Sequence, residues 1–169
     1  MPLQNLQLDI AELQSRPTLL RLRTLLKEAH TGKRVLVMGI LNVTPDSFSD
    51  GGCFDSLGAA VAHAEKMISE GADILDIGGE STRPATFENT EPLSEENECR
   101  RILPVIQEIA RRFPETPLSI DTYKAKVAES AIAYGAVMLN DISAFRADPL
   151  MLELAVRCQV PTCLMHLLG

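Results

Sequence analysis

Asn42, Ser81, Asp121, Asp141 and His166 share a position in the chain: each closes a short apolar run, at 35–42, 73–81, 117–121, 136–141 and 161–166. Side chains able to bind or donate at the ends of apolar runs are what a site built on strand termini requires. Asn42 ends "VLVMGILN". Its amide oxygen is a hard, neutral ligand suited to Mg²⁺, and the alternative is an asparagine closing the turn into Thr44-Pro45. The stretch "VTPDSFSDGG", 43–52, follows with a glycine pair and the aromatic Phe48, which fits a mobile functional loop or a plain surface connection.

In "GGESTRPA", 78–85, glycines permit close backbone approach, and the Thr82 hydroxyl and Arg83 guanidinium could together grip an anion. The competing role for Arg83 is an ion pair with Glu80 or another acid. Phosphate-loop spacing is absent. Asp121 and Asn140 close the third run and nearly close the fourth. A carboxylate and an amide side by side can accept from and donate to the edge of a flat heterocycle, a carboxylate pairing bidentately with two adjacent N–H groups. Asp121 could instead cap the helix that follows. Asp76, among apolar neighbours in "DILDIGG", reads as a hydrogen-bonded structural carboxylate, and His166 as either a ligand contact or a satisfied core histidine. His30 and His63 read as helix-surface residues. The acidic run 88–98 reads as a solvated loop and a helix N-terminus favoured by the dipole.

What must position these residues is an alternation. Between the five β-type runs lie segments with helical apolar spacing at 56–72, 94–113, 122–136 and 148–159. Ser56, Ser94, Thr122 and Asp148 are suited to N-caps, Gly71 and Gly135 to C-terminal stops, and Pro104 should kink or reset the second of these helices. Alternating strands and helices imply a parallel sheet, either an open doubly wound one or a (β/α)8 barrel of the TIM type. Polar residues closing all five strands favour the TIM (β/α)8 barrel, here an incomplete one with about five parallel strands. Residues 1–32 are expected to be a lead-in, loosely organised to 17 and helical over 19–30, and 33–169 the barrel domain.

The 169 residues are 46% hydrophobic and 23% charged, which is ordinary for a globular domain with a core, and the formal charge of −7 argues against a general nucleic-acid binder. An anionic ligand would therefore be held by local donors or a metal. Cys53, Cys99, Cys158 and Cys163 lack metal-site or disulfide-framework spacing. No leader or membrane-spanning run is legible, so a cytoplasmic location is the default.

"MGILNVTPDSFSDGG" and "GADILDIGGESTRPA" resemble the two signature segments of the dihydropteroate synthases, and 117–143 resembles that family's third and fourth barrel strands. The resemblance runs from about Val35 to the last residue. It implies an enzyme of folate synthesis that joins 6-hydroxymethyl-7,8-dihydropterin pyrophosphate to p-aminobenzoate, releasing pyrophosphate with Mg²⁺ assistance. It implies that Asn42 ligates Mg²⁺, that Asp121 and Asn140 hold the pterin edge, and that Thr82 and Arg83 serve the anion and p-aminobenzoate region. Arg83 and Asp121 would be catalytic. Phe48 and Pro84 would wall a pocket that sulfonamides also enter, and Met165 would pack near the pterin. A homodimer is compatible with the resemblance. The family's barrel has three further strands, so this chain alone is expected to be inactive or barely active. The competing expectations are a methyltetrahydrofolate-type methyltransferase on a similar pterin-binding barrel, and a non-catalytic truncated remnant.

Overall fold

The computed structural model describes residues 8–44, 52–80 and 92–166. Its elements, in order, are α1 (Ile10–Ser15), α2 (Pro17–His30), β1 (Met38–Asn42), α3 (Gly52–Ser69), β2 (Ile74–Gly78), α4 (Glu95–Arg112), β3 (Leu118–Asp121), α5 (Ala125–Tyr134), β4 (Met138–Asp141), α6 (Leu150–Cys158) and β5 (Thr162–Leu164). All strand neighbours are parallel and the sheet order is β1-β2-β3-β4-β5. Strands that pair in chain order, each reached through a helix, leave no point at which the winding reverses. This is the arrangement of consecutive βα units of a (β/α)8 barrel and not of a doubly wound sheet.

Register divides the side chains into rows. Leu41, Ile77, Ile120 and Leu139 are mutually aligned and each at most 1% exposed. Two residues earlier in β1, a Cβ at Gly39 would meet Met67 Sδ of α3 at 2.8 Å, so this parity faces the helices. The intervening rows face the other way. One holds Ile40, Asp76, Ser119 and Met138; the next, at the C-terminal ends, holds Asn42, Gly78, Asp121, Asn140 and Cys163. The helix-facing side supplies the core, with Ile102, Ile106 and Ile109 of α4 and Val127, Ala128, Ala131 and Ile132 of α5 fully buried. Burying one such Ile contributes about 1.5–3 kcal/mol.

Several local expectations need correction. Where described, from residue 8, the lead-in is helical and not loosely organised: Asp9 accepts from the N–H groups of Ala11 (2.8 Å) and Glu12 (3.1 Å), capping α1. The pair α1-α2 then joins the hydrophobic core through buried Leu13, Leu19 and Leu22. Arg16 donates to Ile132 O (2.5 Å), and Gln14 and Arg23 donate to Cys158 O (2.5 Å) and Gln159 O (2.9 Å), so this pair satisfies carbonyls at the ends of α5 and α6. α3 starts at Gly52, which leaves Ser56 inside the helix. Ser94 caps α4 as expected, and α4 runs through Pro104 unbroken because its apolar face packs on both sides of the proline. α5 starts at Ala125, three residues beyond Thr122. Its first N–H is held from a distance by Asp148 Oδ2 (2.8 Å), while Thr122 Oγ1 accepts only from Lys124 N (3.3 Å). Gly71 (φ 104°) and Gly135 (φ 131°) are the expected helix stops. Among the described residues no helix is long and apolar enough to cross a membrane.

Candidate functional site

Parallel pairing aligns Asn42, Gly78, Asp121 and Asn140 across four adjacent strands, all on the face away from the helices. Gly78 is the gap in that row. A Cβ there would meet Asp121 Oδ2 at 3.3 Å and Asn42 Oδ1 at 3.6 Å, so the missing side chain lets the Asn42 and Asp121 oxygens converge over β2.

One layer below, Asp76 is 3% exposed and its Oδ2 accepts from Asn140 Nδ2 at 2.8 Å. This bond engages the Asn140 amide nitrogen and leaves its Oδ1 buried without a partner. A free amide at position 140 would both accept and donate; with one amide N–H held by Asp76, the row is acceptor-rich. Asp76 is the hydrogen-bonded structural carboxylate the sequence indicates, and what it holds is the Asn140 end of the row. Its place two residues before Gly78, on the same strand face, was the signal that tied it to the site.

Among the described residues, the buried side-chain oxygens without a hydrogen-bond partner are Asp76 Oδ1, Ser119 Oγ, Asp121 Oδ1 and Asn140 Oδ1. All four lie in the two rows that face away from the helices. Leaving one such atom unsatisfied costs about 1–3 kcal/mol, so their clustering marks a surface shaped to receive N–H donors. Burial is the main reason the Asp121 carboxyl is pushed up to about 7, with the charges of Asp76, Glu98 and Asp141 adding to it. Burial also raises Asp76, against the favourable neighbourhood of Ser119 and Asn140. The Ser119 hydroxyl makes no hydrogen bond of good geometry, so its help is electrostatic proximity and not a formed bond. Perturbed carboxylates gathered at strand ends are the electrostatic pattern of a functional site. Asp121 caps no helix: α5 begins after Lys124, and Asp148 holds its first N–H.

Asp141, adjacent to Asn140 but of opposite parity, is fully buried and has a different task. It accepts from Ser143 N and Phe145 N, both at 2.8 Å, and holds a turn in which Ala144 (φ 52°) and Phe145 (φ 65°) are left-handed. Met165 is 44% exposed just past β5, where its N–H donates to Asp141 O (3.2 Å), placing it beside the row's β4 end. His166 is exposed, not a core histidine. Phe48, Thr82, Arg83 and Pro84 lie outside the described residues. Glu80, the acid weighed as a partner for Arg83, binds Tyr123, Lys124 and the Leu93 N–H. Within the acidic run, Glu98 is 1% exposed and bonded to Lys124, which corrects its reading as solvated.

No group of three or more His, Cys, Asp or Glu side chains among the described residues could enclose a metal. Asn42 Oδ1 is the hard oxygen at the open end of the row. Asn42 is the residue that would hold a Mg²⁺ at this end of the row, an ion that binds few protein oxygens.

Residues 38–169 match the family described as "Pterin binding enzyme". The chain is 54% identical over 140 residues to the dihydropteroate synthase of Clostridium beijerinckii, covering 83% of this chain and 50% of that one. Among solved structures it resembles the Xanthomonas albilineans dihydropteroate synthase with 4-aminobenzoic acid, at 48% identity and TM-score 0.73, covering 80% of this chain and 48% of that one. It also resembles the Clostridium difficile dihydropteroate synthase in the presence of pteroic acid, at 46% identity and TM-score 0.75, covering 82% and 51%. The chain spans about half the length of the curated relatives it matches. With 132 consecutive residues matched and an acceptor row on the strand ends, the chain belongs to the pterin binding enzymes, and the relatives it resembles are dihydropteroate synthases.

Proposed function

We propose that this protein serves dihydropteroate synthesis, in which the amine of p-aminobenzoate displaces pyrophosphate from the exocyclic carbon of 6-hydroxymethyl-7,8-dihydropterin pyrophosphate. The observation that carries this reading is the row of unsatisfied acceptors at Asp76, Asp121 and Asn140. The edge of a 2-amino-pyrimidinone ring offers adjacent N–H donors to such a row, and donation to a carboxylate favours its ionised form. The names of the relatives favour the synthase over a methyltetrahydrofolate-type methyltransferase.

In this reading the leaving group departs from a carbon whose developing positive charge the dihydropterin ring shares. Asp121, ionised on binding, lies beside that charge and stabilises it. Mg²⁺, bound through Asn42, would supply neutralisation of the departing pyrophosphate. Thr82 and Arg83 follow β2 and would hold the same anion. Phe48 and Pro84 would wall the p-aminobenzoate pocket, which is also where a sulfonamide would enter, and Met165 would pack on the pterin face. Exclusion of water matters because water competes with the amine for the same carbon. A cytoplasmic site of action and a homodimer belong to the same proposal.

The test is a titration of the purified protein with 6-hydroxymethyl-7,8-dihydropterin pyrophosphate, with and without Mg²⁺, followed by p-aminobenzoate. Saturable binding that Mg²⁺ strengthens, with p-aminobenzoate taken up afterwards, is expected. Binding of methyltetrahydrofolate with no response to Mg²⁺ would favour the methyltransferase, and binding of neither pterin would leave the remnant.

A further inference from the structure

We propose that Asp76 is a positioning residue that sets specificity: by accepting from the Asn140 amide nitrogen it decides which end of that amide a bound ring meets, and so makes the row select 2-amino pteridines over 2-oxo ones. The inference deepens the proposed function and rests on a pteridine occupying the row.

The sheet itself brings the two residues together. Asp76 lies on β2 and Asn140 on β4, with β3 between them. Register aligns Asp76 with Ser119 and Asn140 with Asp121, all four on the face away from the helices. The bond from Asn140 Nδ2 to Asp76 Oδ2, at 2.8 Å, therefore crosses β3 and joins one row to the next. Asp76 is 3% and Asn140 7% exposed, so neither has solvent to fall back on.

An asparagine side chain keeps nearly the same shape when its amide is turned over, but the turn exchanges a two-proton donor for an acceptor. Packing therefore cannot choose between the two arrangements, and hydrogen bonding must. An ionised carboxylate only accepts. Turned over, Asn140 would set its Oδ1 against Asp76 Oδ2 with no proton between them, and both buried oxygens would lack a partner. Burial pushes the Asp76 carboxyl up, and Ser119 and Asn140 act against that rise, so the amide favours the charged form that holds it.

With Nδ2 engaged, the buried oxygens without a partner on these two rows include Asp76 Oδ1, Asp121 Oδ1 and Asn140 Oδ1. A 2-amino pteridine carries an exocyclic NH2 beside the ring N3–H, a run of donors for a set of acceptors. A 2-oxo pteridine of the same outline has an acceptor in place of the NH2, and would leave that oxygen facing a buried oxygen of the row. Asp76 removes the alternative in which Asn140 donates to the 2-oxo group.

The test measures, by fluorescence titration at one fixed pH, the affinities of 6-hydroxymethylpterin and 6-hydroxymethyllumazine for the wild-type protein, Asp76→Asn and Asp76→Ser. Both replacements can donate to Asn140 Oδ1 as well as accept from Nδ2, so the amide is no longer locked. The wild type should prefer the pterin by about 100-fold or more. In each variant that preference should shrink by about tenfold or more, through weaker pterin binding and equal or tighter lumazine binding. In an Asn140→Ala background, Asp76→Asn should leave the ratio within about twofold, because Asp76 acts through the amide. If Asp76→Asn does not fold, Asp76→Ser decides by the same ratio. A merely structural role would weaken both ligands together, so an unchanged ratio in the variants would overturn the proposal, as would a further loss of preference in the Asn140→Ala background. Wild-type protein with no preference between the two would overturn the locked amide. Wild-type protein that binds neither pteridine would sink the functional reading and this inference with it.

Discussion

Replacing Asp121 with asparagine should make the protein more stable near neutral pH while weakening its recognition of a pterin. In the folded protein the Asp121 carboxyl is pushed from an ordinary 3.8 up to about 7, first by burial and then by Asp76, Glu98 and Asp141. The folded state therefore holds this proton more tightly than the unfolded chain does. Stability associated with it is fully present below the unfolded value, and it is lost as pH rises from about 4 to about 7. Taken at face value the difference corresponds to about 4 kcal/mol; because the side chain is not fully sealed from solvent, half of that, about 2 kcal/mol, is the better expectation. Asparagine keeps the shape and removes the charge. Urea unfolding followed by circular dichroism should give Asp121→Asn an advantage of about 2 kcal/mol at about pH 8 that shrinks toward zero by about pH 4. A variant equal to or less stable than wild type at the higher pH, or an advantage that does not change with pH, would refute the placement of an unpaired, buried carboxylate in the row.

Other consequences follow from the same geometry. Pterin affinity of the wild type should increase as pH rises through about 7, because ionised Asp121 is the acceptor, and Asp121→Asn should flatten that profile in a fluorescence titration. Asn42→Ala should lower the Mg²⁺ dependence of pyrophosphate binding by about tenfold with no change in melting temperature, since Asn42 is exposed and carries no core packing. Gly79→Ala should destabilise by about 1–3 kcal/mol in denaturant, since its methyl would lie 2.9 Å from Ile102 Cγ2. Gly78→Ala, with its nearest contact 3.3 Å away at Asp121 Oδ2, should instead leave stability nearly intact and weaken pterin binding.

The site was legible in the sequence where a strand ends in a residue of unusual type. Asn42, Asp121 and Asn140 could be picked out because an apolar run that stops at an amide or carboxylate announces its own terminus. Parallel register then placed them in one row without any further information. What could not be read were relations between distant segments. Asp76 looked like a structural acid because nothing in "DILDIGG" indicates that its partner is Asn140, 64 residues later. Glu98 sits in an acidic run, and long-range contacts, its bond to Lys124 and its packing beside Gly79, bury it. α1 carried a legible signal, Asp9 followed three residues later by Glu12, but a six-residue helix holds its place only through contacts with α2 and α6. The start of α5 moved from Thr122 to Ala125 for the same reason, the decisive acceptor being Asp148 in the next loop.

The most direct test of the account is a fluorescence titration of 6-hydroxymethylpterin into the wild-type protein and Asn140→Ala at about pH 8, where Asp121 is ionised. The recognition row predicts saturable binding by the wild type and an affinity lower by about tenfold or more in the variant, which loses an acceptor and releases Asp76 from its partner. Absence of saturable binding, or equal affinity for the two proteins, would contradict it.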